Sequence, residues 1–228
     1  MRTLVLFDID GTLVRGGPAK DAFRNALLRV YGTTGPIETH SFAGKTDPQI
    51  ARELMVGAGI DEQDVDRGLP SLWEDYLDGL EAGLIGRPMD LLAGARELVA
   101  RLSQDPEVAL GLVTGNVERG AFLKLRSVAL DTHFTVGGYG SDHEHRNELP
   151  AIAVERARRQ WGRAFGPDAV VVVGDTPRDV ECGRWFGART VAVSTGNFTA
   201  EELASSGADA VLESFADIET SSRAVVGR

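Results

Sequence analysis

The 228-residue chain predicts an α/β fold, doubly wound around a parallel sheet, and three observations lead there. Short, continuously apolar β-rich runs recur: "TLVLF" (3–7), "ALGLV" (109–113), "AVVVV" (169–173) and "TVAV" (190–193). Helix-period segments separate the later ones, as in "LLAGARELVARL" (91–102) and "LPAIAVERARRQW" (149–161). Strands without polar alternation are buried on both faces, which is the condition of a parallel sheet covered by helices on either side.

Taken in order, the first strand (3–7) ends in Asp8, then Asp10, Gly11 and Thr12. From about Arg15 to Arg87 no convincing strand follows. Three helical stripes occupy this interval: Ala22, Phe23, Ala26, Leu27 and Val30; then Ile50, Leu54 and Ala58; then Leu72, Trp73, Tyr76 and Leu80. "RGGP" (15–18) and "GRP" (86–88) punctuate its ends, with hinges expected near Val14–Gly17 and Gly86–Pro88. The expectation is a core of residues 1–14 and 88–228 carrying a small inserted helical domain, 15–87. Weaker strands are expected at Phe134–Val136 and Ala210–Leu212. The tail "ETSSRAVVGR" is expected to fray.

Composition excludes some classes of function. With 24 basic against 34 acidic residues the net charge is −10, which disfavours a nucleic-acid or anionic-membrane surface. No run approaches the roughly 18 apolar residues of a membrane helix, and charges come too early for a signal peptide. The lone Cys182 rules out an internal disulfide and fits a reducing, cytoplasmic setting; its plainest role is a small buried apolar residue.

Ligands of open parallel sheets collect at the carboxyl ends of the strands. Asp8 and Asp10 lie at the first such end, Thr114, Gly115 and Asn116 at the second, and "GDTPRD" (174–179), with Asp175 and Asp179, at a third. Each piece has an ordinary explanation. Asp-Gly is a turn pair, and Thr176-Pro177 is a helix start that favours an acid at Asp179. Their coincidence does not, because four carboxylates at one sheet edge repel one another without a cation among them. Oxygen donors lacking His or Cys favour a hard ion, most simply Mg²⁺.

The set "DIDGT", "VTGN" and "GDTPRD", in this order, resembles the haloacid-dehalogenase-like superfamily in its phosphatase branch, closest in look to the phosphoglycolate-phosphatase-like group. The resemblance spans essentially the whole chain. It implies a Rossmann-like core with a helical cap at 15–87. It also implies Asp8 as the nucleophile that forms an aspartyl-phosphate, and Asp10 as the acid and then the base. Thr114 would hold a phosphoryl oxygen together with the amides of Gly115 and Asn116. Mg²⁺ would be held by Asp8, the Asp10 carbonyl and Asp175, while Asp179 orients a metal-bound water or the basic residue. The family usually has a Lys before the later helices. Here "GSDHEHRNELP" (140–150) has none, and Arg146 is the candidate replacement, gripping with a fork rather than a point charge. Physical chemistry supports such a division of labour. Phosphate-monoester hydrolysis needs a barrier reduction on the order of 25–30 kcal/mol. A covalent step, fixed charge and a placed acid must share it.

Other features are weaker. His143 and His145 flank Glu144, but without further Cys or His a polar loop is the simpler reading. "SFAGKTD" (41–47) lacks the earlier glycine and preceding strand of a P-loop. The same "GKTD" resembles a loop at the cap edge of small-substrate phosphatases, which makes Lys45 a candidate substrate contact beside the alternative of simple exposure. Trp73 and Tyr76 read as cap core. The expected activity is hydrolysis of a small phosphorylated metabolite. A phosphomutase, a dehalogenase or a non-catalytic binding module with the same fold remain as alternatives. A dehalogenase would have no use for a leaving-group acid such as Asp10.

Overall fold

Strand β1 (Thr3–Phe7) lies at the centre of a six-stranded sheet, which fits its uninterrupted apolar sequence. The computed structural model describes residues 1–227. The other strands are β4 (Val108–Thr114), β5 (Gly137–Tyr139), β6 (Val170–Gly174), β7 (Arg189–Val193) and β8 (Ala210–Leu212), all parallel, in the order β5-β4-β1-β6-β7-β8. Phe7 is in register with Leu112 on one side and Val173 on the other, so the residues after these three positions emerge side by side.

Alternation along β1 divides the core. Val5 and Phe7 pack with α4 (Ala95–Ser103), α5 (Glu118–Arg126) and α9 (Ile218–Val226). Leu4 and Leu6 face the opposite layer, with α6 (Leu149–Trp161) and α7 (Pro177–Phe186). This is the doubly wound arrangement expected from the sequence. A further helix, α8 (Ala200–Ser205), covers β7 and β8.

Three helices, α1 (Ala19–Tyr31), α2 (Asp47–Gly57) and α3 (Glu62–Gly86), fill the inserted interval. Phe23 anchors them, edge-on to Tyr76 at 5.3 Å and stacked with Trp73 at 6.3 Å.

Five local expectations need correction. The interval boundaries hold two three-residue strands, β2 (Val14–Gly16) and β3 (Met89–Leu91), paired antiparallel so that the two chain crossings lie together. The expected strand at 134–136 is shifted to Gly137–Tyr139, where Gly138 lets the backbone of Leu149 pack closely. The helix read from residue 91 starts at Ala95, because Leu91 belongs to β3. The tail forms α9, held by burial of Ser221, Ser222 and Val225, with Arg228 outside the described residues. On α2 the buried stripe is Ile50, Ala51, Leu54 and Met55, and Ala58 ends the helix exposed.

Candidate active site

β1 leads Asp8 directly from the core to the carboxyl edge of the sheet, where its side chain is buried. The chain then turns sharply, with Gly11 at φ 86°, a value that L side chains rarely adopt. A Cβ there would also collide with the carboxylate of Asp175, so the glycine lets the two segments approach. Asp8, Asp175 and Asp179 each present an oxygen, and these atoms lie within 4.8 Å of one another. Asp179 sits in the first turn of α7, where Thr176 and Asp179 form a reciprocal capping box.

Arg146 is buried beside them. Its Nη2 donates to Asp8 Oδ1 at 2.8 Å and to Asp179 Oδ1 at 2.5 Å, while Nη1 donates to the Gly44 carbonyl at 3.5 Å. One guanidinium therefore ties β1, α7 and the loop before α2 together. Burial lowers the basicity of Arg146, but Asp179 and Asp8 outweigh it and keep the group firmly charged. Burial raises the Asp8 carboxyl well above its ordinary range, against the pull of Arg146. Asp175 moves the same way, through burial and then the charges of Asp179 and Asp8.

Asp175 pairs with no cation among the described residues; the Thr12 hydroxyl donates to it at 3.3 Å. A buried carboxylate in that state calls for positive charge. A set of three carboxylates and no nitrogen or sulfur ligand suits a hard divalent ion. The residues present fit a hard divalent cation.

Thr114, fully buried, ends β4. Its hydroxyl accepts from Asn116 Nδ2 at 2.8 Å, and the same amide donates to Asp10 Oδ2 at 2.8 Å. Gly115 has no room for a side chain, because a Cβ would meet the Lys45 carbonyl. At this contact the "GKTD" loop docks: the Asp47 amide donates to the Gly115 carbonyl at 2.7 Å, and Thr46 Oγ1 donates to the Glu144 carbonyl at 2.7 Å. Lys45 lines the cavity as well, with Nζ engaged by Glu53 and near His40 Nε2 at 3.3 Å.

Sheet edge and inserted helices border an open cavity of about 620 Å³. Asp8, Asp10, Thr114, Arg146 and Asp175 line it from the sheet edge and its loops, and Phe23, Phe42, Ile50 and Tyr76 from the inserted segment. Tyr76 is thus both helical core and cavity lining; Trp73 is core alone. His143 and His145 lie exposed in a loop, and Cys182 is buried with its thiol pushed up to about 12, chiefly by burial.

Two residues escaped the sequence reading. Lys124, on α5, is buried, and its Nζ donates to Asp10 Oδ2 and to Asn116 Oδ1, both at 2.6 Å. A signal existed: with Val117, Ala121 and Val128 buried, Lys124 occupies an apolar-stripe position. Asp47 accepts from the Val117 amide at 2.9 Å, and burial pushes its carboxyl up to about 6. Nothing in "GKTD" by itself points to that partner.

Buried carboxylates after β1 and β6, a threonine at the end of β4 and a buried arginine beside them make an acid-lined site at the carboxyl edge of an α/β sheet. The sequence profile described as haloacid dehalogenase-like hydrolase matches residues 3–187, and the chain belongs to that family. Among curated relatives, a phosphoglycolate phosphatase from Synechococcus elongatus is 29% identical, covering 94% of this chain and 94% of its own length. An N-acetylmuramic acid 6-phosphate phosphatase from Pseudomonas aeruginosa is 27% identical, covering 92% of this chain and 89% of its own. A solved hydrolase from Pseudomonas syringae shares the fold at a TM-score of 0.71 and 21% identity, covering 96% of this chain and 97% of that one.

Proposed function

We propose that this hydrolase is a Mg²⁺-dependent phosphatase acting on a small phosphate monoester through an aspartyl-phosphate at Asp8. The observation that carries the reading is the convergence of Asp8, Asp175 and Asp179 within 4.8 Å, beside Arg146 and at a cleft open to solvent. Names of the two curated relatives, both phosphomonoesterases, support it. Residues 15–87 act as the cap and residues 1–14 and 88–228 as the core.

In the first half-reaction an Asp8 oxygen attacks phosphorus. The bond to the ester oxygen breaks, and that oxygen leaves with the electron pair and takes a proton from Asp10. In the second, water attacks the same phosphorus, gives its proton to Asp10, and the Asp8–phosphorus bond breaks to release phosphate. Thr114 and the amides of Gly115 and Asn116 hold phosphoryl oxygens, and Arg146, itself held by Asp179, fixes the orientation of Asp8 by a direct bond. Asp8, the Asp10 carbonyl and Asp175 would hold Mg²⁺, which, when bound, neutralises phosphoryl charge; Asp179 steers Arg146. The inserted helices exclude bulky esters and bulk water, and Lys45 contributes to selection among small ones.

The test is a panel of small phosphate esters, phosphoglycolate included, with Mg²⁺ and with chelator. Free phosphate released only with Mg²⁺, and lost on the order of 10³-fold or more in Asp8→Asn, is the expected result. An isomerised sugar phosphate in place of free phosphate would identify a mutase. Release untouched by Asp8→Asn would remove the reading altogether.

A further inference from the structure

We propose that Lys124 is a positioning residue for proton transfer, fixing the direction in which the Asp10 carboxylate points. The proposal rests on the phosphatase reading and deepens it.

A lysine in the apolar stripe of a core helix is an expensive choice, since its ammonium must be stripped of water and paired. Leucine at the same place would continue the packing of Val117, Ala121 and Val128. What the lysine adds is a grip on two site residues. Its Nζ reaches Asp10 Oδ2 and Asn116 Oδ1, both at 2.6 Å, and Asn116 Nδ2 closes the triangle on the same Asp10 oxygen at 2.8 Å.

The grip is one-sided. Two donors hold Asp10 Oδ2, whereas Oδ1 accepts no hydrogen bond among the described residues and the residue lines the cavity. Asp10 is otherwise exposed, on a turn, with nothing but rotamer preference to aim it. One oxygen is thus anchored to a rigid helix and the other is left for exchange of a proton with the leaving oxygen or with water. Proton transfer is sensitive to such aim, and a placed acid contributes on the order of 10²–10⁴-fold. Asn116 also donates to Thr114, so the anchor and the phosphoryl-holding hydroxyl share one amide.

Two aryl esters separate this role from a merely structural one. Nitrophenolate leaves without help, whereas phenolate, the stronger base, gains from an acid. In single turnovers with Mg²⁺, the ratio of the phenyl phosphate rate to the p-nitrophenyl phosphate rate should fall at least about 10-fold in Lys124→Met. Lys124→Gln, which keeps a donor, should recover part of that ratio and serves alone if the methionine variant does not fold. Equal losses on both esters, or no loss, would overturn the proposal while leaving the phosphatase reading intact. A wild-type enzyme that cleaves neither aryl ester nor any small phosphate ester of the panel would sink both.

Discussion

Four carboxylates, Asp8, Asp10, Asp175 and Asp179, share one rim with two buried cations, Arg146 and Lys124. Arg146 serves two of the acids and Lys124 one, which leaves Asp175 without a cationic partner among the described residues. Removing a partner from a buried charge cluster is costly, so Arg146→Ala should lower stability by about 3–5 kcal/mol in chelator, measured by urea unfolding. Arg146→Lys can keep the contacts to Asp8 and Asp179 but not the fork to Gly44, and it should retain part of the stability and activity. Loss of less than about 1 kcal/mol in the alanine variant would contradict the assigned pairing.

Asp47 offers a pH test at the same scale. Its carboxyl moves from an ordinary 3.8 up to about 6, burial being the main cause. Between those values the folded state holds the extra proton, so folding stability from this group is lost as pH rises from about 4 to 6. Asp47→Asn keeps an oxygen for the Val117 amide and removes the titration. Its stability relative to the parent should therefore improve across that window. The side chain borders a cavity and is half-buried, so the gain is on the order of 1 kcal/mol. Urea unfolding at pH 4 and pH 7 measures it, and an unchanged difference would refute the burial argument.

Among elements, long apolar strands and the three helices of the insertion were legible because burial on both faces, or on one stripe, leaves a direct pattern. The paired β2 and β3 were not, since three residues carry no period. Strand β5 reads Gly-Gly-Tyr, against ordinary strand preference, because close approach to Leu149 excludes side chains there. Two serines on the inner face of α9 disguised its amphipathic stripe. Site residues flanking a strand end were legible by position; Lys124 was hidden because its role depends on an ion pair across the fold. Thr46 is a further case in which one side chain serves two elements: it caps α2 and donates to the Glu144 carbonyl. Thr46→Val keeps the shape and removes both bonds. Stability should fall by about 1–2 kcal/mol in urea unfolding, with KM raised through a looser "GKTD" loop. An unchanged KM would separate that loop from substrate binding.

For the whole molecule, the insertion and the core are linked by more than the two hinge strands. Arg52 pairs with Glu144 at 3.0 Å and Arg119 with Glu81 at 2.6 Å, each joining an inserted helix to the core. Pairs of this kind, half-buried or exposed, contribute little individually. No described helix is long and apolar enough to cross a membrane. The cavity lining combines the apolar Phe23, Phe42, Ile50 and Tyr76 of the inserted segment with the charged residues of the sheet edge.

Rapid acid quenching of the enzyme during turnover of a phosphate ester with Mg²⁺, followed by peptide mass spectrometry, probes the covalent chemistry itself. A phosphoryl group on the peptide containing Asp8, absent with chelator and absent in Asp8→Asn, is the predicted result. Sustained turnover with the label on another residue, or with no covalent label at any quench time, would contradict it.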